Sequence, residues 1–565
     1  MKILNPKTEE FEHLDAQSRE IMKKTIQFFE NKGKERLKED YNAKVWYADF
    51  IDFVKKEKIF YKLLTPSQYG EEGCRWDSAR NCNFNEILGF YGLPYWYTWQ
   101  VTILGLGPIW MGNNESVKKK TAKLLEQGEI FAFGLSEKEH GADLYSSQMT
   151  LTQLSEGSYV ADGGKYYIGN ANQAGLVSVF AKDSDTDEYV FFTADPKHES
   201  YDLVKNVVSS QSYVAEFALN GYPVTDADIL SRGEHAWDCA LNTINVGKYN
   251  LGWASIGICS HAFFEAINHA SKRNLYGKFV TDFPHVQSLM TDAFARLTAM
   301  KLFAKRNADY MRRASKDDRR YLLYNPLTKM KVTTQGEEVI NLMWDVIAAK
   351  GFEKDTYFEM AAIDIRALPK LEGTVHVNMA LIVKFMANYL FAPAELPDIP
   401  IVNEPVNDDF LFNQGATKGL GKTLFHDFNR AYENFDLPNI TIFKSQIAIF
   451  KEMLINASPE KEQTKDIDFL LIVGELFATI AYGQLILENA VLRGVEDDIL
   501  DQIFDFMIRD FSKYALQLYS KTSSNQKQME YALKMIKKPQ VNQARFKRVW
   551  ENHVLSLKDT YEMNK

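Results

Sequence analysis

The sequence predicts a mainly α-helical protein with a central β domain. Three observations carry this. Apolar residues recur at spacings of three and four up to about residue 125. From about 131 to 230 the texture changes to short alternating runs between turn signals. Helical spacing returns at about 238 and continues to the end. Helices, a β unit, helices again and a helical tail give four expected domains: 1–128, 129–232, 233–391 and 392–565. At 565 residues the chain is too long for one hydrophobic core.

In chain order, LDAQSREIMKKTIQFFENKG and VWYADFIDFVKKEKIF read as amphipathic helices, and SVKKKTAKLLEQG ends on a capping glycine. The runs SQMTLTQL, YVADGGKYYIGN, LVSVFAK, YVFFTA and AEFALNG read as strands, punctuated by Gly-Gly, Asp-Ser-Asp and Asn-Gly. Long helices are then expected near 238–272, 283–314, 329–350 and 374–391. In the last, Met379, Ile382, Val383, Met386 and Leu390 define one apolar face. LFAPAELPDIPIVNEPVNDD carries four prolines and reads as a linker. In the helical tail, FLLIVGELFATIAYGQLIL (469–487) approaches the length of a membrane span. A mid-segment Glu475 is expensive in lipid, and no basic cluster flanks the end. The segment reads as a buried bundle or dimer-interface helix, and peripheral membrane contact stays open.

A net charge of -9 argues against a nucleic-acid binder, which needs a concentrated basic face. Cys74, Cys82, Cys239 and Cys259 form no C-x-x-C pair or zinc spacing, so reduced thiols in a cytoplasmic protein are expected. The opening MKILNPKTEEFEHLD lacks a basic segment followed by a long apolar run, and no secretory or transit signal is read there.

Several fragments carry candidate chemistry. ATKGLGKT (416–423) matches a loose phosphate-loop pattern, but no buried strand precedes it and no βαβ series follows. His261, Glu265 and His269 share a helix face, yet the outer two lie ~12 Å apart at 1.5 Å per residue. They cannot all bind one ion, so no metal site is assigned and a solvated or interface face is expected. The GLG at 105–107, set before Pro108, gives no dinucleotide fingerprint. FGLSEKEHGADL (133–144) offers hydroxyl and backbone donors in a loop. KRNLYGKFVTDFPHVQ (272–287) places Arg273, Tyr276 and Gly277 at a corner between helices, where an arginine can clamp a pyrophosphate. PKLEGTVHVN (369–378) sets one acid, Glu372, beside Leu371 and a Gly373-Thr374 helix opening. A solvated helix-start glutamate is the plain reading of that fragment, and a base in a dry cleft is the other.

Taken in order, LSEKEHGADL, GGKYYIGNA, AEFALNGYPV, SKRNLYGKFVTDF and LEGTVHVN resemble the acyl-CoA dehydrogenase family over roughly residues 15 to 391. The tail from 392 is similar in placement to the extra helical domain of very-long-chain members and acyl-CoA oxidases. INVGKYNLGWASIG (244–257) also looks closest to that branch. The resemblance implies an N-terminal helical domain, a β-barrel-like middle domain and a four-helix bundle, with FAD bound in a homodimer. It implies α,β-dehydrogenation of a fatty acyl-CoA to trans-2-enoyl-CoA, as in β-oxidation. Electrons would leave to an electron-transfer flavoprotein. Acyl-CoA oxidation by O₂, a degenerate non-catalytic scaffold and a carrier-protein thioester in place of CoA stay as alternatives.

Residue by residue, Glu372 matches the base of the family's aromatic-Glu-Gly-Thr motif. Desolvation beside Leu371 would raise its carboxyl. Gly373 would let the backbone approach the substrate, and Thr374 would lie near the cofactor. Phe133, Leu135 and Ser136 match the loop at the flavin's pyrimidine edge, and Gly141 the adjoining pyrophosphate loop. Tyr167, Ile168 and Gly169 match the strand along the flavin's central ring. Arg273 and Tyr276 match residues that reach the neighbouring subunit's FAD. Ala142 and Lys248 fall at substrate positions, Lys248 where relatives often carry an arginine. Some members place the base at the position of Gly247, which cannot serve here. The chain departs from the pattern at Ala142 for Ser, Gly169 for Ser/Thr, Tyr167 for Trp, Asp345 for Gln and Ala348-Ala349 for Gly-Gly.

Overall fold

The structure, a computed structural model, describes residues 2–141, 143–209 and 213–565. It divides into two compact units. The first holds residues 10–250, the short stretch 403–418 and the last two residues; the second holds the N-terminal residues up to Glu9, 251–402 and 419–563.

The first unit opens with seven helices: α1 (Ala16–Lys32), α2 (Lys34–Ala43), α3 (Ala48–Lys56), α4 (Ile59–Leu64), α5 (Ser78–Tyr91), α6 (Leu93–Met111) and α7 (Glu115–Glu126). Their ends follow local chemistry. Asp15 caps α1 by accepting from the Ser18 amide at 3.1 Å, Asp77 caps α5 through Ala79, and Asn114 caps α7 through Val117. The run expected as one helix over 45–60 breaks at Lys58, which takes a left-handed conformation (φ 53) between α3 and α4. Helix α6 is apolar on every side and buried on every side.

Eight strands follow: β1 (Ile130–Gly134), β2 (Thr150–Ser155), β3 (Ser158–Gly169), β4 (Ala174–Asp183), β5 (Tyr189–Ala194), β6 (Tyr201–Asn206), β7 (Val214–Thr225) and β8 (Ile229–Arg232). They form a mixed sheet in the order β6-β7-β3-β2-β4-β5-β8, with β1 paired in parallel to β4. Its core gathers Met149, Leu151, Ile168, Val177, Val179, Phe192, Phe217 and Leu219. Helix α6 lies on this sheet so closely that a Cβ at Gly105 would stand 2.7 Å from the Ala132 backbone nitrogen.

Helix α8 (Gly233–Lys272) begins in the first unit and ends in the second. The second unit continues with a hairpin of β9 (Asn274–Leu275) and β10 (Lys278–Phe279). Tyr276 and Gly277 at its tip have φ of 52 and 77, the paired positive values a two-residue hairpin loop requires. Next come α9 (Pro284–Arg312), α10 (Tyr321–Leu327), α11 (Thr333–Ile347), α12 (Tyr357–Asp364), α13 (Val375–Ile382) and α14 (Met386–Phe391). The tail adds α15 (Asn429–Glu433), α16 (Pro438–Asn456), α17 (Ile467–Arg493), α18 (Asp497–Tyr519), α19 (Gln526–Met535) and α20 (Gln543–Val549). Helix α9 packs on α11, α17 and α18, and α13 packs on α17. Tail and bundle therefore share one core.

Four sequence expectations change here. The helix expected over 329–350 starts at Tyr321 and passes through a π-helical turn, Thr328–Val332, before α11. The helix expected over 374–391 breaks at a 3₁₀ turn, Val383–Phe385, so its buried face becomes Met379, Ile382, Phe385, Tyr389 and Leu390. The proline-rich linker is pinned: Val402 donates to Asp309 at 3.3 Å, and Arg320 donates to the Pro397 carbonyl at 2.8 Å. The His261 face is not solvated. His261 is buried and stacks on Tyr357 with ring centroids 3.6 Å apart, and Glu265 accepts from the Phe358 amide at 2.8 Å. Helix α17 is long and apolar enough to cross a membrane by composition, and 78% of that stretch is buried within the protein.

Candidate active site

Two clusters of the sequence-predicted residues form, one in each unit. In the first unit, β1 delivers Phe133, which is buried, and the chain turns out of the sheet at Leu135 and Ser136. Ser136 is fixed to β3: its Oγ donates to the Tyr166 carbonyl at 2.7 Å, and the Tyr166 amide donates back at 2.9 Å. The loop beyond is held by a buried ion pair the sequence reading passed over. Lys165 Nζ donates to Glu137 at 2.7 Å and to the Leu135 carbonyl at 3.1 Å. Glu137 also accepts from Ser147 Oγ, and from the Gln148 and Met149 amides. Burial pulls the Lys165 ammonium down to about 8 against the attraction of Glu137. For Glu137 burial works the other way, but the Lys165 charge and the loop donors outweigh it and hold the carboxyl below its usual range.

A bulge in β3 between Lys165 and Ile168 gives Tyr167 a φ of 63 and turns its ring outward, 60% exposed. Ile168 and Gly169 return to the buried side. A Cβ at Gly169 would lie 2.6 Å from Tyr97 Cε1 and 2.8 Å from Val101 Cγ2. Helix α6 therefore leaves no room for a side chain here. Asn170, also at positive φ (60), locks the turn onto α6. Its amide donates to the Thr98 and Phe131 carbonyls, each at 3.0 Å, and its Oδ1 accepts from Thr98 Oγ1 at 2.7 Å. Gly141 has φ 55 and nothing within 4 Å of a built Cβ, so the tip of the loop is open backbone. Ala142 lies outside the described residues.

Lys248 is buried on α8, one residue after Gly247, whose carbonyl accepts from Gln100 Nε2 at 3.1 Å. From Gln100 a buried chain continues through Asn250 and Asn85 to the indole N–H groups of Trp96 and Trp99. Asn85 and Gln100 sit in apolar runs, and nothing in their spacing singles them out.

In the second unit, Arg273 and Tyr276 belong to the projecting hairpin, and Tyr276 is 96% exposed. Far along the chain from them, Glu372 occupies a short irregular turn before α13. It is half-buried, and its φ of 53 is followed by 87 at Gly373. Thr374 caps α13 by accepting from the Val377 amide. The turn is held from beneath by Lys329, whose ammonium donates to the Pro369 carbonyl at 2.7 Å and to that of Gly373. Asn378 adds a bond to the Gly373 carbonyl at 3.0 Å. Asp345, Ala348 and Ala349 are exposed. Ala348 keeps φ 55, ψ -136, a backbone that favours glycine.

The phosphate-loop reading has no support. Among the described residues no strand leads directly into 416–423. Thr417 donates to Asp238 at 2.7 Å, and Lys418 pairs with Glu234 at 2.6 Å.

Comparison with known proteins agrees with this layout. Residues 235–387 match the family model "Acyl-CoA dehydrogenase, C-terminal domain". The 3-(aryl)acrylate reductase of Clostridium sporogenes is 22% identical over 65% of this chain and 98% of its own length. The mitochondrial very long-chain specific acyl-CoA dehydrogenase of Bos taurus is 25% identical over 56% of this chain and 50% of its own. Among solved structures, an acyl-CoA dehydrogenase complexed with FAD from Bacillus anthracis superposes with a TM-score of 0.75. It is 16% identical and covers 99% of this chain and 98% of its own, so the fold is shared through the tail. The family model covers the helices that carry Glu372, and the fold over the whole chain is that of an acyl-CoA dehydrogenase.

Proposed function

We propose that this protein is an FAD-dependent oxidoreductase that removes the α- and β-hydrogens of an acyl-CoA thioester, with Glu372 as the α-proton base. The observation that carries the reading is the turn at 372–373. A non-glycine carboxylate is held in a left-handed conformation at the mouth of an apolar helix. Such strain persists where the surroundings impose it, and it clusters at functional sites.

The residues present fit the cofactor. The open space at Gly141, the outward ring of Tyr167 and the doubly anchored Ser136 offer the ring contact and the firmly held loop a flavin needs. Phe133, Leu135, Ser136, Gly141, Tyr167, Ile168, Gly169 and Thr374 would hold FAD, and Arg273 and Tyr276 would reach the FAD of a second copy in a homodimer. FAD supplies the acceptor for the β-hydride. The chain's own part is the proton. Glu372 takes it from the carbon α to the thioester, while donors at the carbonyl oxygen share the developing negative charge. Gly373 would let the backbone approach that oxygen, and Lys248 would line the path of the CoA arm.

The finer reading is a fatty acyl-CoA dehydrogenase of β-oxidation in the cytoplasm, passing electrons to an electron-transfer flavoprotein, with the tail available for peripheral membrane contact. Relatives named 3-(aryl)acrylate reductase and caffeyl-CoA reductase-Etf complex subunit support a second direction, reduction of an enoyl thioester, in which Glu372 returns the proton it would otherwise remove. Glu372→Gln tests the reading: the variant should remain yellow and bind octanoyl-CoA or palmitoyl-CoA, yet lose bleaching of the flavin. Undiminished bleaching would refute the base assignment, and peroxide formed in air would identify an oxidase.

A further inference from the structure

We propose that Lys329 is a positioning residue for the base, fixing the turn that carries Glu372. The proposal rests on the assignment of Glu372 made above. Lys329 is fully buried, an unusual place for a lysine, and its ammonium is spent on the carbonyls of Pro369 and Gly373. These lie three residues before Glu372 and one after it, so a single cation ties both ends of the turn. Across a turn with consecutive positive φ at Glu372 and Gly373, both carbonyls converge on the Lys329 ammonium.

The lysine is itself held. It sits in the π-helical turn Thr328–Val332, the kind of helix irregularity found most often at functional sites. Thr328 Oγ1 donates to the Tyr324 carbonyl at 2.9 Å, and a Cβ at Gly252 would stand 2.6 Å from Thr328 Cγ2. Two residues on, Lys331 points elsewhere, to Glu475 at 3.4 Å, Thr479 at 3.3 Å and Tyr514 at 3.2 Å. The π turn is thus anchored on α17 and α18 while it holds the turn of the base. An ammonium so placed fixes the backbone on both sides of the carboxylate and so sets where Glu372 stands.

The test measures proton abstraction alone, on the FAD-loaded protein with 3-thiaoctanoyl-CoA, which cannot be oxidised. In D₂O the α-C–H bond breaks, its electron pair stays on the thioester as an enolate, the proton passes to Glu372, and deuterium returns. Exchange is followed by NMR at saturating analogue. Lys329→Met should retain bound FAD and affinity for the analogue and slow exchange about 100-fold. Lys329→Gln keeps one amide donor, guards against misfolding of the first variant, and should fall between Lys329→Met and wild type. Wild-type exchange in either FAD-loaded variant would overturn the proposal. So would equal loss of FAD, analogue binding and exchange in both variants, which would mark a purely structural residue. Glu372→Gln separates the two assignments. If it exchanges at the wild-type rate, the base reading fails. If it is inactive while the Lys329 variants are normal, only the positioning role fails.

Discussion

Glu488 on α17 is an acid on which several buried donors of the second unit converge, and its replacement by glutamine has a calculable cost. Its side chain is 13% exposed. It accepts from Arg306 Nε at 2.8 Å, Tyr310 OH at 2.9 Å and Gln484 Nε2 at 2.6 Å, with His426 Nε2 at 3.3 Å. Burial alone would raise this carboxyl, but the His426 bond and the Arg306 charge outweigh it and hold it at about 2. A fall from 4.5 to about 2 corresponds to about 3 kcal/mol at ~1.36 kcal/mol per tenfold change. Because the folded-state value is depressed, that stability is fully present above pH 4.5 and is lost as pH falls through about 2. Glu488→Gln removes the charge and leaves Arg306 with only the longer contact to Asp309, 3.4 Å away. The cost at pH 7 should be about 3–5 kcal/mol, the range for breaking a buried pair on one side. Urea denaturation of both proteins at pH 7, repeated toward pH 3, reads this directly. The gap between them should narrow as the wild-type carboxyl protonates. A difference under about 1 kcal/mol at pH 7, or a gap indifferent to acid, would refute the reasoning. The double replacement Arg306→Met with Glu488→Leu should recover most of the loss, since it leaves no buried charge unpaired.

Three further outcomes follow from packing. Gly105→Ala would drive a Cβ to 2.7 Å from the Ala132 backbone and should cost about 3 kcal/mol or more, seen as a lowered melting temperature with FAD loading reduced. Ala348→Gly should raise stability by about 1 kcal/mol, because φ 55, ψ -136 strains any residue with a Cβ; a lowered melting temperature would contradict that. All four cysteines are buried, and burial pushes the Cys239 thiol up to about 12 and that of Cys259 higher still. A thiol reagent such as DTNB at pH 8 should therefore label none of them in the native protein and all four in denaturant.

What the sequence disclosed and what it concealed divide along a physical line. Strands with buried residues announced themselves: YVFFTA, buried on both faces, is β5 over its full length, and the alternation in β3 and β7 was plain. Strand β6 was not read, because beyond Tyr201 its residues are all exposed and an edge strand has no alternation to display. Helix α10 was missed because Pro326 lies inside it and because the π turn that follows shifts the apolar period. At the site, residues defined by backbone demand were legible: Gly141, Gly373 and the Glu372–Thr374 opening stand where positive φ or a helix cap is required. Residues defined by a partner far along the chain were not. Lys165 and Glu137 are 28 apart, and Lys329 and Gly373 are 44 apart. A lysine in a sequence carries no mark of the burial that makes it an organiser. Asn170 was an intermediate case, since a single Asn after Gly169 is a familiar left-handed residue but its bonds to α6 depend on the fold.

The same distinction bears on the tail, which the sequence presents as an appendage behind a proline-rich linker. Its helix α17 covers the helix that the Glu372 turn opens. A Cβ at Gly474 would stand 2.3 Å from Met379 Sδ and 2.9 Å from Val383 Cγ1, so α17 and α13 approach as closely as a glycine allows. Tyr389 on α14 donates to Gln484 and meets Phe477 edge to face, with ring centroids 5.2 Å apart. Met379, Ile382, Phe385 and Tyr389 are each at most 1% exposed. At about 1.5–3 kcal/mol for each such side chain, the surface that the tail helps bury is worth as much as a whole domain's net stability. A chain ending at Phe391 would return part of that face to water and release Lys331 from Glu475, Thr479 and Tyr514. The tail is therefore part of the core on which the candidate base stands, and its loss would be felt first at α13 and the turn before it.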